Sequence, residues 1–194
     1  MKKLGFQPQP KERLRQLLSK GFSLEQILDE VLPKDVENRK TLIVRCIFSI
    51  RNEYIKIYPE HTRLVEGAKE VLKTLREKKI LVGIVTSQTI PADLVRLNLK
   101  RFNVESFVDT IVTFNDVPKR KPAPDGILEC AKRLGVKTNE CVVVGDAEAD
   151  VQAGKAAGAK TIVVVGGVAT RESLSKEKPD IILNNLQELT TILE

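Results

Sequence analysis

The sequence predicts an α/β protein in which a small helical part precedes a doubly wound parallel sheet. From residue 59 onward, short apolar segments alternate with segments of helical period. Strands that are apolar on both faces are typical of parallel sheets covered by helices on both sides. Before residue 59 the pattern is helical throughout. We therefore expect a helical part at residues 1–58 and an α/β part at residues 59–194.

The helical part is predicted to contain helices at residues 11–19, 23–32 and 36–57. Ser23 and Gln26 have the spacing of a capping box, which indicates the start of the second helix. The third segment contains LIVRCIFSI, whose β-branched residues also allow a strand. Its apolar residues nevertheless recur at helical spacing, which favours a helix: Ile43, Ile47, Ile50, Tyr54 and Ile57.

The α/β part is predicted to alternate strands and helices and to end in a helix. Each expected strand is a short apolar run between two helical patterns. The expected strands cover residues 80–85, 110–114, 142–144, 161–165 and 181–182. The expected helices cover residues 65–78, a short segment after Pro91, residues 124–134, residues 147–157 and the C-terminal end.

Charge and composition narrow the classes of partner. The formal net charge is +6, but lysines are scattered beside glutamates, as at Lys69 and Glu70. That arrangement is typical of solvated helix faces, so we expect no nucleic-acid partner. No apolar run approaches the about 18 residues that a membrane-spanning helix needs. We therefore expect no membrane partner either, while the oligomeric state is left open.

The three cysteines, Cys46, Cys130 and Cys141, are expected to be free thiols. Their number is odd, and their spacing fits neither a zinc site nor a redox motif. The first ten residues contain two prolines and no signal-peptide pattern. Together these features predict a reducing, cytoplasmic location.

Polar residues follow three predicted strands at their carboxyl ends, which is where functional residues gather in parallel sheets. These ends read TS at 86–87, ND at 115–116 and GD at 145–146. Asp150 follows Asp146 by four residues, so both carboxylates are expected at one edge of the sheet. Two such charges repel unless a cation such as Mg²⁺ lies between them. The alternatives are a helix N-cap for Asp146 and a favourable first-turn charge for Asp150.

Two further segments suggest phosphate chemistry at the same edge. In KRKPAPDG, Pro122 restricts the backbone of Lys121, and Pro124 opens a helix. Lys121 could neutralise a phosphate and a nearby acid there, although a solvated basic loop is the alternative. In GIVTSQ, the hydroxyl and the backbone N–H of Thr86 could bind a phosphate oxygen, although strands commonly end in such residues.

GIVTSQ, KRKPAP and VVVGDAEAD, in that order and spacing, resemble three of the four motifs of the haloacid dehalogenase superfamily. The similarity covers residues 59–194 and is nearest to phosphoglycolate-phosphatase-like members. It implies a Rossmann-like core and a small helical cap at residues 1–58. MKKLGF at the start resembles the end of the first helix of such a cap.

This resemblance also implies roles for particular residues. Thr86, with the neighbouring Ser87, would bind the phosphoryl group, and Lys121 would stabilise the nucleophile and the phosphate. Asp146 would ligate Mg²⁺, and Asp150 would ligate it or orient its water. LSKGFSLEQIL resembles the loop through which such caps touch substrate, which implicates Lys20 and Gly21. The implied partner is a small phosphorylated substrate, with phosphoglycolate, a sugar phosphate, a nucleotide and pyrophosphate all open.

The chain departs from the family pattern in one respect. The family's D-x-D-x-T motif, which carries the aspartate nucleophile, is absent from the sequence. The only histidine, His61, is more simply explained as a linker residue. The strand that carries the motif is the central one of the family's sheet. Its absence would uncover two apolar strand edges, which could pair directly or accept a strand from another chain.

Two hypotheses follow for function. The first is an N-terminally truncated Mg²⁺-dependent phosphatase. Its family is enzymatic, but the 194-residue chain itself would be inactive because it lacks the nucleophile. The second is a non-catalytic protein that binds a phosphorylated ligand or a protein partner.

Overall fold

The computed structural model describes residues 10–193, in which short parallel strands are covered by helices. The expectations for residues 1–9, a helix end and the absence of a signal peptide, lie outside the described residues. The helices are α1 (Lys11–Ser19), α2 (Leu24–Val31), α3 (Arg39–His61), α4 (Ala68–Glu77), α5 (Ala92–Arg101), α6 (Asp125–Leu134), α7 (Glu148–Ala157), α8 (Arg171–Lys176) and α9 (Glu188–Ile192). The strands are β1 (Gly83–Val85), β2 (Thr110–Val112), β3 (Val142–Gly145), β4 (Lys160–Val164) and β5 (Ile181–Leu183).

The ambiguous segment of the helical part is a helix, as predicted. Ser23 and Gln26 form the expected capping box at the start of α2. The third helix runs four residues beyond the predicted end because it continues through Pro59. Pro59 lies in the last turn, so its missing N–H removes only one helical hydrogen bond. Side chains from α2 and α3 form a common buried cluster: Ile27, Leu28, Val31, Leu32, Ile43 and Cys46.

The strands confirm the predicted α/β class, because every pair in the described part of the chain is parallel. They form two separate sheets, with strand orders β1–β2 and β3–β4–β5. Val85 lies opposite Val112 in the first sheet, and Gly145 lies opposite Val163 in the second. The carboxyl ends of β1 and β3 carry Thr86 and Asp146.

Within residues 10–193, one edge of β1 in the first sheet has no partner strand. The N–H of Thr86 donates to the carbonyl of Val112, and the N–H of Asp109 donates to the carbonyl of Val82. Because backbone polar groups alternate in direction along a strand, the carbonyl of Val85 points away from β2.

The corresponding edge of β3 in the second sheet likewise has no partner strand in the part of the chain that the structure describes. The N–H of Lys160 donates to the carbonyl of Cys141, so the backbone polar groups of Val142 and Val144 point away from β4. Their side chains are 54% and 40% exposed. Residues 10–193 contain no strand between β1 and β3, and these two strands do not pair with each other. Of the two closures considered from the sequence, direct pairing is therefore wrong.

A common hydrophobic cluster shows that β1 and β3 pack on the same helices. Val85 of β1 and Val143 of β3 both pack against the cluster of Ile127, Ala153 and Ala157 on α6 and α7. The two edges thus share one supporting layer of helices although no backbone hydrogen bond joins them.

The second strand ends two residues earlier than predicted, at Val112, because Asp116 holds the following turn. One oxygen of its carboxylate accepts from the N–H and the hydroxyl of Thr113, at 2.8 Å each. The other oxygen accepts from Arg133 at 2.8 Å. Asp116 is therefore engaged in holding the turn and does not line the cavity described below.

Among the described helices, none combines the length and apolar character required to cross a membrane.

We predict that Asp116→Asn lowers the free energy of unfolding at pH 7 by about 1 kcal/mol. Hydrogen bonding from Arg133, then from Thr113, lowers the pKa of Asp116 from its usual 3.8 to about 2. A depressed carboxyl pKa contributes stability above the usual value that is lost as the pH falls through the folded value. The gap between wild type and variant should therefore close between about pH 4 and pH 2.

Thermal unfolding followed by circular dichroism across this pH range measures the effect. Asp35→Asn is the matched control, because Asp35 is an exposed acid outside this turn. A difference that stays constant down to pH 2 would contradict the assignment.

Candidate active site

A cavity of about 400 Å³ lies between the helical part and the carboxyl ends of β1 and β3. It brings together most of the residues predicted from the sequence. Lys20 is the exception, since it lines a separate depression beside the cavity. The predicted residues that line the cavity are Gly21, Thr86, Ser87, Lys121, Asp146 and Asp150.

The side chain of Lys121 joins the two sheets across the gap. Its Nζ lies 2.6 Å from Oδ1 of Asp150, which follows β3, and 3.1 Å from the carbonyl oxygen of Val85 in β1. The side chains of Lys121 and Asp150 are only 17% and 9% exposed. Lys121 thus satisfies a carbonyl that β2 leaves unpaired and neutralises a buried carboxylate.

Asp150 also organises the turn between β3 and α7. Its Oδ2 accepts from the N–H groups of Asp146 and Ala147, at 3.2 and 3.1 Å. Asp150 therefore satisfies the helix N-terminus, so the alternative in which Asp146 is the N-cap is wrong. A Cβ atom at position 145 would overlap the carboxyl group of Asp150, and this position therefore requires glycine.

Asp146 lines the cavity and uses one of its carboxylate oxygens in a backbone contact. Its Oδ2 accepts from the N–H of Val168 at 3.0 Å, whereas its Oδ1 makes no hydrogen bond to a described residue. No group of three metal-ligating side chains exists in the part of the chain that the structure describes. Mg²⁺ commonly binds through one or two carboxylates, with water and phosphate oxygens completing its octahedron. The free oxygen of Asp146 fits such a site, with few ligands from the protein.

The strand end after β1 supplies two hydroxyl groups. The N–H of Thr86 is used within the sheet, so it is not free for a phosphate oxygen as the sequence had suggested. The Thr86 hydroxyl accepts from the N–H of Gln88 at 3.1 Å and keeps its own proton to donate. The Ser87 hydroxyl is buried and has no hydrogen-bond partner among the described residues.

Gly21 places the helical part directly on the Lys121 turn. It has a positive φ of 75°, and a Cβ atom there would lie 2.8 Å from the carbonyl oxygen of Lys121. The Lys121–Pro122 peptide bond is cis, which the sequence did not predict. The glycine therefore allows the two parts of the chain to meet at the rim of the cavity.

Two charged residues of the cavity were not singled out from the sequence. Arg51 projects from α3, and Arg120 directly precedes Lys121. Arg51 lies three residues before Tyr54, whose hydroxyl donates to Gln88 at 2.8 Å. The helical spacing of Arg51 and Tyr54 could have indicated a shared face, but only the fold shows that this face covers the cavity.

With this geometry in place, the comparisons with known proteins identify the family. The model of haloacid dehalogenase-like hydrolases matches residues 1–164, so the chain belongs to that family. Pyrophosphatase PpaX of Bacillus velezensis is 36% identical over 138 residues, which are 70% of this chain and 63% of that protein. Pyrophosphatase PpaX of Bacillus pumilus is 34% identical over 139 residues, covering 70% and 63%. The matches thus span less than two thirds of these relatives.

Solved structures agree with the fold. A predicted phosphoglycolate phosphatase from Haemophilus somnus aligns over 100% of this chain and 86% of its own, with a TM-score of 0.78 and 18% identity. A hydrolase from Pseudomonas syringae aligns over 96% and 83%, with a TM-score of 0.77 and 26% identity. The family resemblance inferred from the three motifs and the predicted fold class are confirmed.

We predict that Lys121→Met lowers the free energy of unfolding by about 3 kcal/mol, because it leaves the Asp150 carboxylate buried without its cation. Asp150→Asn should also destabilise, since it leaves the ammonium without its carboxylate. The double variant should be less destabilised than the sum of the two by about 1–3 kcal/mol.

Urea unfolding of the four proteins measures this coupling. Lys119→Met serves as the control, because Lys119 is exposed and lies two residues before Lys121. Purely additive effects would show that the contact between Lys121 and Asp150 contributes nothing specific.

Proposed function

We propose that the cavity is the phosphate-binding and Mg²⁺-binding part of a phosphatase active site. The observation that carries this proposal is the coordination of Lys121. An ammonium group has three N–H donors, and the carbonyl of Val85 and the carboxylate of Asp150 occupy two of them. The third remains for a phosphoryl oxygen.

The other residues of the cavity support the same chemistry. Thr86 and Ser87 line the cavity, and each hydroxyl group keeps a proton that would be donated to a remaining phosphoryl oxygen. Oδ1 of Asp146 would hold Mg²⁺, which when bound neutralises phosphate charge. Asp150 is already engaged by Lys121 and the backbone, so we assign it to positioning Lys121. Phosphoryl transfer depends mainly on positioning and charge neutralisation, and these residues provide both.

The chain does not contain the nucleophile that the family uses. No D-x-D motif occurs in its 194 residues. We propose that turnover requires a further strand in the gap between β1 and β3, with a carboxylate nucleophile at its carboxyl end. The unpaired edges of both strands, next to Lys121 and Asp146, favour this arrangement over a binding protein with no catalytic role.

We also propose the wider setting. Residues 1–58 would form a cap domain that covers the cavity, and residues 59–194 the core domain. Small phosphorylated substrates are supported by the names of the relatives, which include pyrophosphatase and phosphoglycolate phosphatase. A cytoplasmic location is supported by Cys46, Cys130 and Cys141, which are free thiols in the structure.

We predict that the 194-residue protein binds Mg²⁺ weakly and that Asp146→Asn abolishes this binding, because the variant replaces a charged carboxylate by a neutral amide at the cavity. Isothermal titration calorimetry with MgCl₂ measures it. Asp35→Asn, on the exposed surface, is the control. Equal Mg²⁺ affinity in wild type and Asp146→Asn would place the metal elsewhere.

We further predict that the same protein hydrolyses neither p-nitrophenyl phosphate nor pyrophosphate at a measurable rate with Mg²⁺ present, although orthophosphate binds. Release of p-nitrophenol and of orthophosphate provides the assay. Turnover that disappears in Asp146→Asn would show that a nucleophile is already present and would overturn the requirement for a further strand.

A further inference from the structure

Two arginines of the cavity have no part in the phosphate site described above. Arg51 comes from α3 in the helical part, and Arg120 comes from the loop before α6. The two parts of the chain therefore each contribute one guanidinium group to the same cavity.

Neither guanidinium group forms an ion pair with a carboxylate of residues 10–193. The nearest polar contact of Arg51 is its Nη2 at 3.4 Å from the hydroxyl of Thr89. Arg120 instead stacks over the ring of Phe114, with Cζ 4.0 Å from the ring centroid. Other arginines of the chain differ in this respect and do pair with carboxylates: Arg39, Arg76, Arg96 and Arg133.

The contact of Arg120 with the Phe114 ring consumes none of its hydrogen-bond donors. Its guanidinium makes no hydrogen bond to a described side chain or backbone group, so its N–H groups are free for an oxyanion. Burial and the charge of Arg51 both lower the pKa of Arg120. The two cations thus repel each other, and an anion bound between them would relieve this repulsion.

The remaining wall from the helical part is largely apolar. Arg51 is the one charged residue that this part contributes to the cavity lining within residues 10–193. The part of a ligand that faces the helical part therefore meets one guanidinium group among apolar side chains. These side chains are mainly those of Leu18, Phe22, Leu24, Ile27 and Ile50.

We propose that Arg51 and Arg120 bind a second anionic group, carried by the part of the substrate that leaves when the phosphoryl group is transferred. This inference rests on the proposed function of Lys121 and Thr86 as the phosphate site. Both pairs of residues line the same cavity of about 400 Å³, a size usual for the site of one small ligand, and we assign both anionic groups to one compound. The substrate class is small phosphorylated compounds that carry a second phosphate or a carboxylate.

Calorimetric titrations of the 194-residue protein with Mg²⁺ present test the proposal. Three probes are used: pyrophosphate, whose second group is a phosphate; 2-phosphoglycolate, whose second group is a carboxylate; and ethyl phosphate, which has none. We expect the first or the second to bind at least about 10-fold more tightly than ethyl phosphate, as charge-assisted hydrogen bonds provide. Which of the two binds more tightly identifies the second group.

The variants Arg51→Gln and Arg120→Gln should each reduce this preference by about 10-fold. Arg45→Gln is the matched control, because Arg45 is exposed on the same helix and does not line the cavity. Arg51 is itself exposed, so Arg51→Gln reports on binding even if Arg120→Gln folds poorly.

A preference that Arg51→Gln leaves unchanged, or that Arg45→Gln reduces equally, would overturn the arginine assignment. Equal affinity for all three probes would also overturn the arginine assignment. In that case the phosphate site would still be supported if Thr86→Val weakened the binding of ethyl phosphate. Conversely, arginine-dependent pyrophosphate binding that is insensitive to Thr86→Val would support the arginine site and overturn the phosphate site.

Discussion

The geometry of the site depends on the contacts that the ammonium group of Lys121 makes. This group reaches the carbonyl of Val85 in one sheet and the carboxylate of Asp150 beside the other. Without it, a strand carbonyl would lose its partner and a buried carboxylate would lack a cation. The packing around this pair also requires glycine at two positions. A Cβ atom at position 21 would crowd the carbonyl oxygen of Lys121, and one at position 145 would overlap the carboxyl group of Asp150.

The sequence predicted the elements well because their signals are local. Helical periodicity identified α3, and the capping box identified the start of α2. Long-range contacts were less accessible. The motifs indicated that Lys121 could neutralise a nearby acid, which is Asp150, but not that its Nζ would also bind the carbonyl of Val85 in the other sheet. The early end of β2 depends on two contacts of Asp116: a local one with Thr113, which the T-x-x-D spacing could have indicated, and a long-range one with Arg133, which no local pattern encodes.

The edges of β1 and β3 that have no partner strand among the described residues lie next to the charged residues of the cavity. The gap between β1 and β3 opens beside Lys121 and Asp146, so a strand placed there would end at the proposed phosphate site. Arg51 enters the cavity from the helical part, and Arg120 enters it from the loop that carries Lys121. Sequence reasoning could not pair Arg51 with Arg120, because only folding brings residues so distant in the chain to one cavity.

A crystal structure of the 194-residue protein grown with Mg²⁺ and orthophosphate would test the central claim most directly. We expect a phosphate oxygen within hydrogen-bonding distance of Lys121 Nζ, with Nζ still in contact with Val85 and Asp150. A phosphate bound elsewhere, or a Lys121 side chain turned away from both partners, would contradict the account.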